Sequence, residues 1–192
     1  MMQVLVDTSV WSLVLRRNPP PAGLASRATG SDANPGSAEH SAKHPAEHSA
    51  KHPAEHSPAA VAARLAASAA ATALRDLVAD GRAAMLGVIR QELLCGIKST
   101  RQFVQLRNAL RGFVDISLGS TDHELAAEFF NTCRSRGVQG SNTDFLICAV
   151  ASARQMPILS TDQDFDRYQQ HLPIQLWKPQ MPNNPIFNPT SA

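Results

Sequence analysis

Aromatic side chains are scarce in this 192-residue chain: they make up 5%, with a single tyrosine and two tryptophans. A core must therefore be built from Leu, Val, Ile and Ala, and little surface remains on which nucleobases could stack. Cysteine is equally sparse. Cys95, Cys133 and Cys148 are odd in number, widely spaced and without a C-x-x-C pair. That pattern argues against a disulfide framework and a zinc site, and leaves small buried hydrophobes in a reducing compartment. No apolar run reaches the roughly 20 residues of a membrane span, and no basic segment precedes an apolar one at the N-terminus. A cytoplasmic protein without a membrane partner is expected. The formal charge of +2 is too small an excess to argue for a nucleic-acid partner. Fourteen of the eighteen cations are arginine, however, the side chain better suited to phosphate.

One segment cannot belong to a packed core. Ala38-Glu-His-Ser-Ala-Lys-His-Pro45 recurs as Ala46 to Pro53, and Ala54-Glu-His-Ser57 begins a third copy. A period of eight is too short for a solenoid unit. Residues 18–58 contain almost no large apolar side chain, so they read as a disordered low-complexity insertion. His40, His44, His48, His52 and His56 would line up on a helix, but Pro45 and Pro53 interrupt it. Function should not depend on this repeat. The expected organisation is one domain over residues 1–177, interrupted by 18–58, with a loose proline-rich tail at 178–192.

The remaining residues alternate between strand and helix patterns. Strands are expected at Gln3–Val6, Ala83–Leu86, Phe113–Ser117, Pro157–Ser160 and Ile174–Leu176. Helices are expected at Thr8–Arg17, Ala59–Ala79, Val88–Ile97, Arg101–Arg111, Ser120–Arg136, Asn142–Arg154 and Asp164–Gln170, with Asn142 or Thr143 capping the sixth. In the long Ala-rich helix, Val61, Leu65, Ala69, Leu74 and Leu77 are placed to face the core. This order implies an α/β fold, a three-layer α/β/α sandwich around a mostly parallel sheet of four to five strands. Ligands bind such sheets beyond the carboxyl ends of the strands.

Four acids sit where this pattern turns. Asp7 follows Val4-Leu5-Val6, Glu92 precedes Leu-Leu-Cys-Gly96, Asp144 opens the apolar run Phe145 to Ala151, and Asp162 follows Ile158-Leu-Ser-Thr161. Each has a plain structural use: Asp7 as a helix cap, Asp144 in a first helical turn, Asp162 in an Asx-turn and Glu92 on a solvated face. Yet Asp7 and Asp144 adjoin strongly apolar sequence, where a charge needs a counter-charge. Were the four to converge, two charges about 4 Å apart would repel by roughly 4 kcal/mol at an effective dielectric near 20. The pocket would then take up protons or a cation, and an oxygen-only ligand set points to Mg2+ or Mn2+.

These motifs together resemble the PIN-domain ribonucleases, and in particular VapC-type toxins of bacterial toxin–antitoxin pairs. The resemblance runs through Leu5-Val-Asp-Thr-Ser-Val-Trp11, Glu92-Leu-Leu-Cys-Gly96, Asp144 to Ala151 and Leu159-Ser-Thr-Asp-Gln-Asp-Phe165. It implies metal-dependent cleavage of RNA, a small antitoxin protein as partner and a homodimer. Position by position, Asp7, Glu92, Asp144 and Asp162 match the family's catalytic acids, with Asp7, Asp144 and Asp162 as metal ligands. Asp164 matches an accessory acid, and Thr8 or Ser9 a hydroxyl lining the site. The long insertion and the tail depart from the family pattern.

Such a site needs cations at its rim to draw in a polyanion. Arg107 and Arg111, one turn apart, and Arg134 and Arg136 are the candidates, although charged helix faces are more often simply solvated. An aspartyl-nucleophile phosphatase would require a second aspartate two residues after Asp7, and Ser9 stands there. A nuclease of RNA processing and a non-cutting RNA- or protein-binding scaffold of the same fold remain alternatives.

Overall fold

The computed structural model describes residues 1–15 and 57–178. The expected insertion and tail lie outside these residues, except at their edges. Ser57 and Pro58, placed in the insertion by composition, start a helix: the Ser57 hydroxyl accepts from the Ala60 N–H at 3.1 Å, and Pro58 takes the first helical position. Proline suits that position because its missing N–H has no helical partner to lose.

The sheet has three parallel strands, β1 (Val4–Val6), β2 (Ala83–Ala84) and β3 (Ile158–Leu159), in the order β2-β1-β3. β1 is the centre, and Val4, Leu5 and Val6 have no exposed surface. Four to five strands were expected. The two outer ones contract to single parallel bridges, Met85 with Asp115 beyond β2 and Ile158 with Leu176 beyond β3. Only one side of an edge segment is paired, and Val114 there is 90% exposed, so burial does little to extend the ladder.

Seven helices complete the described chain: α1 (Thr8–Leu15), α2 (Pro58–Ala79), α3 (Gly87–Leu94), α4 (Thr100–Leu110), α5 (Ser120–Ser135), α6 (Asn142–Ala153) and α7 (Asp164–Gln169). The order confirms an α/β fold. α6 is the most enclosed; Phe145 to Ala151 are seven consecutive buried residues, as expected of a helix apolar on all sides. Its cap is Ser141, one residue before the expected Asn142 or Thr143; the Ser141 hydroxyl accepts from the Asp144 N–H at 3.0 Å. In α2, Leu74 and Leu77 are buried as expected, but Val61 and Leu65 are 47% and 57% exposed, because the first turns of the helix run past the core.

Two arginine clamps join elements distant in sequence. Arg154, at the end of α6, donates to both carboxylate oxygens of Asp122 at 2.7 and 3.1 Å, while the Gly119 N–H closes the α5 cap on the same carboxylate. The Arg154 hydrogen bonds hold Asp122 at a pKa of about 2. Arg90 of α3 grips Asp115 through Nε and Nη2 and also donates to the carbonyls of Leu110 and Phe113. All three cysteines are free thiols. Cys133 and Cys148 are buried as expected, but Cys95 is exposed at the end of α3. Among the described residues, no helix is long and apolar enough to cross a membrane.

Candidate functional site

The chain leaves β1 towards β2 on one side, whereas the segment after β3 returns on the other, to the bridge at Leu176. The crevice between the carboxyl ends of β1 and β3 is therefore a topological switch point, the usual ligand position in open parallel sheets. Asp7 stands at the end of β1, and Ser160, Thr161 and Asp162 follow β3.

Asp7 is 5% exposed, and among the described residues no cationic side chain pairs with it. Its Oδ2 accepts from Ser9 N at 3.2 Å, Ser9 Oγ at 2.6 Å and Ser160 Oγ at 2.9 Å. Burial pushes its pKa upward, and these hydrogen bonds only partly oppose that. Asp144 is the third residue of α6, where its Oδ2 accepts from the Ser141 N–H at 2.9 Å and the Tyr168 hydroxyl at 3.2 Å. Burial raises its pKa as well, and the charge on Asp7 raises it further. The two carboxylates thus sense one another across the crevice, and neither is comfortable ionised. Cys148 is buried nearby; burial, then the charges of Asp144, Cys133 and Asp7, push its thiol far upward, so it offers no soft thiolate.

The other expected residues arrive in different ways. Thr8 Oγ1 donates to Glu92 Oε2 at 2.6 Å, joining the start of α1 to α3. Asp162 is exposed and attached indirectly: its N–H donates to Ser160 Oγ at 2.9 Å, and Ser160 donates in turn to Asp7. Its Oδ1 accepts from Asp164 N at 3.0 Å, the Asx-turn that sequence allowed. Asp164 pairs with Arg167 at 3.1 Å on an open surface. Among the described residues, no three His, Cys, Asp or Glu side chains gather closely enough to hold an ion directly. The physical reason is that Asp162 is held by its own turn, and Glu92 by Thr8. What remains is the coupled pair Asp7 and Asp144. That pair suits a hard divalent ion which keeps most of its waters, since Mg2+ is commonly bound through one or two carboxylates.

Ser160 and Tyr168 are the participants that sequence reading missed. The hydroxyl of Ser160 bridges Asp7 and Asp162, and a serine after an apolar strand carries no signal of that. Tyr168 is wholly buried, and burial together with the nearby charge of Asp144 raises its pKa far above the ordinary phenol value. It is therefore a permanent donor. Beside Asn142 and Thr143, a cleft of about 400 Å3 is lined also by His123, Phe130 and Asn131. The Arg134 guanidinium stands 5.8 Å from the Phe130 ring centre. Arg136 reaches the His171 carbonyl at 3.4 Å. Arg107 and Arg111 lie at the end of α4, exposed, with no described bond to the acids.

No curated protein matches the chain in sequence. The PIN domain family model matches residues 57–170, more than half of the chain. That span carries Glu92, Asp144 and Asp162 but begins after β1 and Asp7, which the fold returns to the middle of the matched sheet. The chain belongs to the PIN-domain family, whose members are generally nucleases that typically use divalent metals.

Proposed function

We infer that this protein is a metal-dependent endoribonuclease that hydrolyses RNA phosphodiester bonds, and that it is the toxin of a type II toxin–antitoxin pair acting in the cytoplasm. The observation that carries the catalytic part is the electrostatic coupling of Asp7 with Asp144 near the switch point, both with raised pKa and Asp7 paired with no cation among the described residues. Bound there, Mg2+ or Mn2+ would supply an activated water and neutralise charge building on the phosphate oxygens. Asp7 and Asp144 would hold it, with Asp162 completing the shell through water. Ser9 and Ser160 fix the Asp7 carboxylate by hydrogen bonds to Oδ2. Glu92, oriented by Thr8, is the acid available to take a proton from the attacking water. Asp164 stays accessory, as a charge next to Asp162.

An RNA strand crossing Asp144 meets the cleft at Phe130 and Asn131, where Arg134 can engage phosphate. Arg136 extends that edge, and Arg107 and Arg111 supply longer-range attraction. The toxin role, the small antitoxin and the homodimer rest on the resemblance of the four motifs to VapC-type toxins. Exposed Val61 and Leu65, one turn apart on α2, are an apolar surface compatible with pairing of two copies.

The test is incubation of the purified protein with structured and single-stranded RNA in Mg2+ or Mn2+, beside Asp7→Asn and Asp144→Asn. Cleavage by the parent alone is expected, with loss of about 100-fold or more in each variant, since each removes a charge the transition state needs. Equal cutting by the variants would assign the activity to a contaminant. Growth arrest on induction, relieved by a neighbouring small gene, separates a toxin from a nuclease of RNA processing.

A further inference from the structure

Tyr168 is the only tyrosine in the chain, and its hydroxyl points into the candidate site. The ring has no exposed surface. Phe145 packs against it with centroids 5.0 Å apart, and Phe165 meets it edge-on at 5.4 Å. The hydroxyl lies 3.2 Å from Asp144 Oδ2 and 3.4 Å from the Gln139 carbonyl. A phenol has one proton to give, and the charged, nearer carboxylate is the stronger acceptor.

Gly140 makes room for that contact. A Cβ at this position would overlap the Tyr168 hydroxyl and come within 2.7 Å of Cζ and 3.0 Å of Phe145 Cε2. Gly140 is not among the glycines with positive φ, so backbone conformation does not demand glycine there. Space does. Three separate features therefore serve one hydrogen bond: a boxed ring, a missing side chain and an acceptor at the start of α6.

The acceptor has a second donor. Oδ2 of Asp144 also takes the Ser141 N–H at 2.9 Å, so two donors end on the same oxygen. A carboxylate held by one hydrogen bond still swings about its terminal torsion, which is broad. Held by two, its other oxygen has a fixed place. We propose that Tyr168 is a positioning residue which, given room by Gly140, locks Asp144 so that Oδ1 is presented to a divalent cation. This rests on the metal-dependent reading above. Partners one bond removed from a ligand set its orientation, and their loss commonly weakens metal binding by about 10-fold to 100-fold.

The experiment uses the full chain. Tyr168→Phe keeps the ring and removes only the hydroxyl. Calorimetric titration with Mn2+ alone, without RNA, at a temperature where both proteins are folded, should give affinity about 10-fold weaker than the parent. The Mn2+ concentration for half-maximal RNA cleavage should rise in step, while the rate at saturating Mn2+ stays close to the parent's. Gly140→Ala should weaken Mn2+ binding in the same way, through displacement of the hydroxyl. A ring-fluorinated tyrosine gives one fluorine resonance, because there is one tyrosine; it should shift on addition of Mg2+ in the parent and not in Asp144→Asn. Parent-like Mn2+ affinity in Tyr168→Phe, or a resonance that ignores Mg2+ in a parent that binds and cuts, would overturn the assignment to Tyr168 alone. A parent that takes up no Mn2+ and cuts no RNA would overturn the metal reading beneath it, and this inference with it.

Discussion

At the level of single residues, the acids of the site cost the folded chain stability. Asp7 and Asp144 both have pKa values raised above 3.8, so folding favours their protonated forms. Between 3.8 and the raised values, the metal-free protein therefore loses stability as pH rises, and at neutral pH both carboxylates are a net penalty. Asp7→Asn and Asp144→Asn should accordingly melt higher than the parent in chelator while losing cleavage; a lower melting point in chelator would refute the desolvation account. Added Mg2+ should stabilise the parent and not the variants. Ser160→Ala removes a donor to Asp7 and an acceptor for Asp162 N–H. About 1 kcal/mol of stability should go with it, along with about 10-fold in metal affinity, measurable by denaturant titration and calorimetry. What was legible at this scale was local. Asp7 after an apolar strand and Asp144 before an apolar helix announce themselves, because the misfit lies within a few neighbours in sequence. Ser160 and Tyr168 matter only through groups 153 and 24 positions away, and no window along the chain contains that information. The exposed position of Asp162, held by its own turn, was equally hidden.

At the level of elements, the Asp122–Arg154 clamp fixes the start of α5 to the end of α6, the helix that carries Asp144. Asp122 titrates in the opposite sense to the site acids. Its folded pKa of about 2 lies below 3.8, so its contribution is complete above about pH 4 and is lost as pH falls towards 2. Asp122→Asn should lower stability by about 1–2 kcal/mol at neutral pH, discounted because Arg154 is partly open to solvent. The gap between parent and variant should close in acid, and a gap independent of pH would assign the loss to the cap at Gly119 instead. Helices were legible mainly from apolar spacing on the segment itself, as in the run after Asp144, whereas the caps Ser57 of α2 and Ser141 of α6 lay outside the expected bounds. Edge strands were not. Phe113–Ser117 and Ile174–Leu176 have strand-like composition, yet pairing depends on neighbours, and each supplies only one bridge. Val61 and Leu65 failed as core predictions for a related reason: helical spacing identifies a face but not how far the partner surface extends along it.

At the level of the whole molecule, the homodimer reading makes Val61 and Leu65 testable. Val61→Glu with Leu65→Glu should halve the mass measured by light scattering while leaving the helical signal intact, since both side chains are already exposed. A dimer that survives both changes would place its interface elsewhere. The low-complexity repeat carries none of the described site residues. Replacing residues 18–56 with a short Gly/Ser linker should leave the rate of RNA cleavage within about two-fold of the parent, a difference of under 1 kcal/mol in activation free energy. A large loss would give the repeat a part in catalysis.

The position of β1 has a practical corollary. A polypeptide cut at the start of the family-matched span would keep three of the four acids but lose the central strand, leaving β2 and β3 with no neighbour between them. Supplied separately, a peptide of the first fifteen residues would have a vacant slot to enter and would bring Asp7 with it. Activity restored on mixing two individually silent pieces would show that continuity of the chain between them is dispensable.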